Sequence, residues 1–252
     1  MAEKARRGKF VVVDGIDGVG KGVFLDTFVD CAKQDGKRVF DVHEFWKKQD
    51  YHSDIQKISH LYEVIVTSEP TFMGVGKYIR EELTSSKHGR KYGPEAVIEA
   101  FALDRRMLYE QLVLPALESG IDVYQSRSFS SSLVYQSQML LDENLIDSRR
   151  WAMQHILKIP GNVFCYQHPM DYLVVPTIRD VSEAVRRAQS REKQDNSVFE
   201  NLDFQLKAKK VFEGSDFKRI FKRIGVPITY LDAGVSVEYS KEQAREFYNK
   251  NL

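Results

Sequence analysis

The sequence predicts an α/β domain built on a parallel sheet, and three observations carry that prediction. Residues 9–22, KFVVVDGIDGVGKG, form an apolar β-rich run that breaks into glycines and then a lysine. Gly36 and a second β-rich run at 38–42 complete a strand–helix–strand unit of ordinary size. Further buried-strand runs at 62–67, 121–125 and 172–176 are separated by stretches with helical spacing.

In the first unit Phe10–Val13 reads as a buried strand, 15–21 as a loop, and the chain from Val23 as a helix with Phe24, Phe28 and Cys31 on its apolar face. Glycines let such a loop fold back so that successive backbone N–H groups point inward, and the helix N-terminus behind them adds roughly half a positive charge. The spacing fits the P-loop pattern G-x-x-x-x-G-K-[ST], with Gly22 where the hydroxyl residue normally stands. Lys21 is then placed to reach the β and γ phosphates. A metal ion has to be held by waters, by the phosphates, or by a carboxylate such as Asp17.

Residues 43–61 are polar with scattered aromatics and read as an excursion from the core, not a separate domain. The strand at 62–67 ends in Ser68-Glu69-Pro70-Thr71, whose proline forces an extended exit at the carboxyl edge, where α/β sheets place ligands. A short helix at 75–83 and a polar loop with Gly89 and Gly93 follow. Pro94 opens a long helix to about Ser119, stopped by Gly120. The strand at 121–125 runs into Ser126-Arg127-Ser128, and helices are read at 130–141 and 148–157. After the strand at 172–176 comes a basic helix from Val181 to about Ser190, with Arg186, Arg187 and Arg191. Residues 195–199 read as a mobile loop, 204–225 as helical, 227–231 as the last strand and 241–248 as a closing helix.

The 37 basic residues are balanced by 36 acidic ones, which argues against wholesale binding of nucleic acid or of an acidic membrane and for a small partner. Two cysteines, Cys31 and Cys165, are too few for a disulfide framework and read as buried free thiols. The start, MAEKARRGK, has no apolar leader region, and no run approaches membrane-spanning length, so a soluble cytoplasmic protein is expected.

Six stretches together resemble thymidylate kinase, in the P-loop nucleoside monophosphate kinase group. They are FVVVDGIDGVGKG at 10–22, TSEPT at 67–71, GKYIREEL at 76–83, AFALDRR at 100–106, PALESGIDVYQSRSFSSSLVYQ at 115–136, and the basic helix and loop around 184–200. The resemblance implies a P-loop NTPase fold over a single domain, 1–252, with a five-stranded parallel sheet, helices on both faces and a small lid at about 187–200. It implies ATP-dependent phosphorylation of dTMP to dTDP with Mg2+, by a cytoplasmic homodimer that binds neither nucleic acid nor membrane. ATP is expected on Gly15, Ile16, Asp17, Gly18, Val19, Gly20, Lys21 and Gly22, with Asp17 facing both the acceptor sugar and the metal.

Phe101 and Arg105 lie four apart on one helix and share a face, which suits a ring stacked on a base beside a guanidinium at its edge. Taken alone they fit a core Phe and a surface Arg better; in the family this pair sits on thymine, and the resemblance favours the binding role. Arg127 directly follows a buried strand, so a planar fork meets the ligand edge and can grip a phosphate. The resemblance places Glu69, Ser132 and Tyr135 at the acceptor as well, with the tyrosine crowding the sugar 2′ position. Departures from the family pattern fall at Gly22, at Ser126, where an aspartate is usual, and at Ser68, where many bacterial members carry arginine and Arg80 or Lys77 are the candidate substitutes. Gly18 leaves no arginine beside Asp17, so Arg187 and Arg191 on the lid are the expected charge stabilisers. Two alternatives remain open. One is a deoxynucleoside kinase, suggested by Glu44, Trp46 and the triplet at 126–128; the other is a nucleotide-binding protein of the same fold with weakened turnover.

Overall fold

The computed structural model describes residues 6–85, 91–190, 199 and 201–252. Among them six strands, β1 Phe10–Val13, β2 Val39–Asp41, β3 Val64–Ser68, β4 Asp122–Ser126, β5 Tyr172–Thr177 and β6 Ile228–Asp232, form one sheet in the order β2-β3-β4-β1-β5-β6. Every pairing is parallel, so all six carboxyl ends share one edge. The sheet has six strands, not the five that the resemblance implies: every strand run read in the sequence is present, with β2 paired to β3 at one edge and β6 to β5 at the other. These two edge strands are only partly buried, whereas β1 is fully buried.

Register sets the two faces. Val11 is opposite Tyr124 on one side and Tyr172 on the other, so these three side chains share a face. That face packs on helices α1 (Lys21–Gln34) and, at the far end of the chain, Val237–Asn251, through Phe28 on Tyr124 and Phe247 on Tyr172. Phe10 points the opposite way, onto Tyr109.

The excursion at 43–61 contains two short helices, α2 (Val42–Trp46) and α3 (Ile55–Ile58), whose first turns are capped by the Asp41 and Asp54 carboxylates. Trp46 and Ile55 bury themselves in the core, which fastens the segment over the β2–β3 side. Next come α4 (Gly74–Tyr78), continued by a π-helical turn at Ile79–Leu83, and α5 (Pro94–Leu108), which runs through a π-helical turn at Tyr109–Val113 into α6 (Leu114–Glu118). Pro115 has no N–H to return to the preceding turn, and the widened turn directly before it accommodates that loss.

Two further helices, α7 (Phe129–Asp142) and α8 (Arg149–Lys158), match expectation; α9 (Pro160–Gln167) does not announce itself in the sequence. Its Gly161 lies against α5, where a Cβ would come within 2.0 Å of the Ala102 carbonyl oxygen, so α9 is specified by a tertiary contact and not by an apolar stripe. After α10 (Val181–Gln189), the helical stretch expected at 204–225 is two helices, α11 (Leu202–Phe212) and α12 (Ser215–Arg223), broken at Gly214, and α13 (Val237–Asn251) closes the chain. Most of the loop read at 195–199 lies outside the described residues. Cys31 and Cys165 are free and buried. Among the described residues no helix is long and apolar enough to cross a membrane.

Candidate active site

β1 ends at the sheet's carboxyl edge and hands the chain into the glycine loop, which closes on the first residue of α1. Lys21 Nζ donates to the carbonyl oxygens of Gly15 at 3.0 Å and Ile16 at 2.8 Å and stands 3.8 Å from the Asp17 carboxylate. The ammonium therefore sits inside the curl of the loop, where phosphates would meet it. Gly18 has φ +73°, and a Cβ there would come within 1.8 Å of the Ala184 carbonyl oxygen on α10. No side chain fits at 18, so an arginine beside Asp17 is sterically closed off, and any cation above the loop has to come from α10 or beyond. Gly18→Ala is expected to destabilise the fold by about 2 kcal/mol or more, from the left-handed backbone and the forced displacement of α10. Chemical denaturation checks this; an unchanged midpoint would mean that α10 does not rest on the loop.

Beside the loop lies a cleft of about 650 Å³, open to solvent, whose walls include Asp17, Pro70, Arg80, Phe101, Arg127 and Gln136. Arg127 is its pivot. The strand-to-helix turn puts its backbone in the left-handed region, φ +66°, with its N–H donating to the Val13 carbonyl oxygen at 3.0 Å. The guanidinium thereby reaches across β1: it pairs with Asp17, donates to Ser131 Oγ at 3.2 Å, and stands 3.9 Å from Asp14 and 5.2 Å from the centre of the Tyr135 ring. Burial opposes the charge, but the Asp17 carboxylate overrides that, and the guanidinium is held more firmly protonated than usual.

Asp17 is clamped from two further elements. Tyr135 Oη donates to its Oδ2 at 3.2 Å and Gln205 Nε2 at 3.0 Å, while its own N–H donates to Gln205 Oε1 at 2.9 Å. Gln205, fully buried on α11, gives no sign in the sequence that it belongs to the site. Asp14 is a second unforeseen member. Fully buried, it accepts from the Gly15 N–H at 2.8 Å, from Ser131 Oγ at 2.7 Å and from Ser130. Ser126 leaves β4 without a carboxylate before Arg127, and Asp14, next in line on the neighbouring strand, places one beside the same guanidinium.

Phe101 is half-buried in the cleft wall. Gln136, next to Tyr135 on α7, also lines the cleft and has a buried Oε1 that accepts no hydrogen bond among the described residues. Arg105 and Ser132 stand behind this wall. Arg105 is 1% exposed and donates to Glu69 at 2.6 Å, to Ser132 Oγ at 3.0 Å, to the Ser128 carbonyl at 3.3 Å and to Asn162. Glu69 also accepts from Gln125 Nε2 at 3.0 Å. Burial pushes its carboxyl up to about 7, against the opposing pull of Arg105. The face shared by Phe101 and Arg105 is real, but the ring fronts the cleft and the guanidinium ties its backing together.

Arg187 on α10 donates to the Ala233 carbonyl at 3.1 Å and pairs with Glu183. Arg191 and most of the lid at 187–200 lie outside the described residues. Arg80 Nε donates to the Pro70 and Thr71 carbonyls at 3.0 and 3.2 Å, and its guanidinium lies 3.9 Å from the Phe72 ring centre. Lys77 is exposed, and Glu44 is an exposed partner of Lys47, away from the cleft lining.

A parallel sheet carrying a phosphate loop at its carboxyl edge, beside a cleft with an arginine at its base and an aromatic ring in its wall, defines a P-loop phosphotransferase of the nucleoside monophosphate kinase class. The family model for thymidylate kinase matches residues 56–224. A probable thymidylate kinase of Thermococcus kodakarensis is 32% identical over 206 residues, spanning 79% of each chain. The thymidylate kinase of an Exiguobacterium species is 26% identical over 247 residues, 97% of this chain and 96% of that one. A solved thymidylate kinase from Candida albicans shares the fold, with a TM-score of 0.61 over 97% of this chain and 92% of that one, at 17% identity. The chain belongs to the thymidylate kinase family.

Proposed function

We propose that this protein transfers the γ-phosphoryl group of ATP to dTMP, giving ADP and dTDP. The observation that carries the substrate assignment is Gln136, a buried carboxamide acceptor without a partner among the described residues, in the wall of a cleft that has Phe101 on one side and Arg127 at its base. An unmet buried acceptor costs about 1 to 3 kcal/mol. The N3–H of thymine is a donor that would meet Oε1 while the ring stacks on Phe101.

A phosphate monoester has a second pKa near 6, so at neutral pH the attacking oxygen is already ionised and no general base is required. What the reaction needs is cations and alignment. In this reading the loop Gly15–Gly22 and Lys21 hold the ATP phosphates, Arg127 draws the acceptor phosphate to the same point, and Arg187 neutralises charge from above. Arg191 takes the same role as Arg187 on the resemblance alone. Tyr135 and Asp17 face the acceptor sugar, and Glu69, Arg105 and Ser132 stiffen the wall behind the base.

Among the described residues no cluster of three metal-ligating side chains exists. The donor set fits an Mg2+ ion that arrives on the ATP phosphates, with Asp17 as the carboxylate beside it and waters in the remaining positions. Such an ion supplies charge neutralisation on the β and γ oxygens. The resemblance further supports a cytoplasmic homodimer.

An ADP-release assay against a panel of deoxynucleosides and their monophosphates tests the assignment, with dTMP the best acceptor and thymidine poor. Gln136→Leu and Phe101→Ala should each raise the dTMP KM roughly tenfold or more and leave the ATP KM within about twofold, since one buried hydrogen bond or one stacked base is worth about 1 to 3 kcal/mol. Equal effects on both substrates would return the two residues to the role of packing.

A further inference from the structure

In a P-loop the residue after the lysine lends its hydroxyl to the magnesium that travels with the nucleotide, and here that residue is Gly22. The two carboxylates at the loop are already committed elsewhere. Asp17 Oδ1 pairs with Arg127 and stands 3.8 Å from Lys21 Nζ, and Asp17 Oδ2 accepts from Tyr135 and Gln205. Asp14 accepts from the Gly15 N–H and from the hydroxyls of Ser130 and Ser131.

A third carboxylate lies one helical turn away. Gly22 is the second residue of α1 and Asp26 stands four residues on, so the Asp26 side chain shares its face and leans back toward the helix N-terminus. A Cβ built at Gly22 would meet Asp26 Oδ2 at 4.0 Å; among the described residues, leaving aside its chain neighbours and its own turn of helix backbone, nothing else comes within that distance. A water standing where the missing hydroxyl would be can therefore reach the carboxylate at hydrogen-bond distance. Asp26 is exposed, lies past the first turn of α1 and so caps nothing, and among the described residues makes no hydrogen bond or ion pair. No capping, pairing or packing role accounts for it. Magnesium gives up water reluctantly and usually keeps several molecules, so exchanging a hydroxyl for a water costs the ion little once an outer partner fixes that water.

We propose that Asp26 replaces the hydroxyl missing at residue 22, by holding the water that ligates Mg2+ beside the loop when ATP is bound. The assignment rests on the kinase reading above. Asp26 is a positioning residue acting through that water, and Asp17 then need not surrender Arg127, Tyr135 or Gln205 to the ion.

The test is calorimetric titration of the full chain with ATP, once in EDTA and once in excess Mg2+, for the wild type, Asp26→Ala, Gly22→Ser and the double variant. Asp26→Ala should weaken MgATP about tenfold, the scale of losing an outer-shell partner of a metal, and leave metal-free ATP within about twofold. Gly22→Ser supplies the hydroxyl directly, so the double variant should bind MgATP within about threefold of the wild type, a rescue that independent sites would not show. Equal losses for MgATP and metal-free ATP, or a loss that Gly22→Ser does not restore, would overturn the assignment. Asp26 is exposed and its truncation leaves the core untouched, so the comparison of Asp26→Ala with the wild type stays decisive if Gly22→Ser does not fold. A wild type that binds ATP in neither buffer overturns the kinase reading and the assignment together, whereas MgATP affinity that survives Asp26→Ala unchanged overturns the assignment alone.

Discussion

Lys21→Ala should lower kcat by about 10³-fold or more while shifting the thermal midpoint by only a few degrees. The ammonium is wrapped by the loop and touches two carbonyl oxygens, not the core, so the stability at stake is about 1 kcal/mol per hydrogen bond, a few degrees in a chain of this size. Its effect on transfer is larger. A preorganised cation on a migrating phosphoryl group is worth about 3 to 4 kcal/mol in the transition state, and Gly22 offers no neighbouring hydroxyl to share that work. Coupled ADP release and a thermal melt on the same preparation separate the two. Turnover near that of the wild type would remove the loop from the chemistry.

Arg127→Ala should reduce kcat/KM for dTMP by about 10²- to 10³-fold, and Arg127→Gly by the same factor, yet the two variants should differ in stability. Both delete the guanidinium that meets Asp17 at the base of the cleft, and the loss of a charge-assisted contact in a partly buried site costs about 2 to 5 kcal/mol. Only alanine keeps a Cβ at φ +66°. Glycine relieves that backbone, so the Gly variant should be about 1 kcal/mol more stable than the Ala variant by urea unfolding. Equal midpoints would mean that the left-handed turn carries no strain.

Much of this was legible in the sequence because it is local. The first strand, the loop and α1 follow one another without a gap, so periodicity and glycine spacing find them together, and Arg127 is placed by the strand that precedes it. The rest depends on residues that meet only after folding. Gln205 reaches Asp17 across 188 positions, and nothing near Gln205 marks it. Arg105 reads as a surface residue of an amphipathic helix because its partners Glu69, Ser132 and Asn162 come from three other segments. Gln136 had a usable signal: α7 is buried along almost its whole length, and a carboxamide on such a helix needs a partner. All six strands, the half-covered edge strands β2 and β6 included, fall on runs legible in the sequence, and only the total of five implied by the resemblance needed correction.

The sheet order has a consequence for synthesis. β1 lies between β4 and β5, pairing Phe10 with Val123 and Val11 with Tyr172, so the strand that carries the phosphate loop is made first and receives its neighbours last. At ribosomal speeds the second neighbour follows on the order of ten seconds later. Until β4 emerges FVVV is an apolar β-former with both edges bare, and until β5 emerges one edge stays bare, the kind of segment that seeks other chains. Nucleotide cannot shelter it, since the site it would bind is not yet built. A nascent chain stalled between β4 and β5 should therefore bind holdase chaperones and ignore ATP, and ATP should begin to protect the chain only once β5 has emerged.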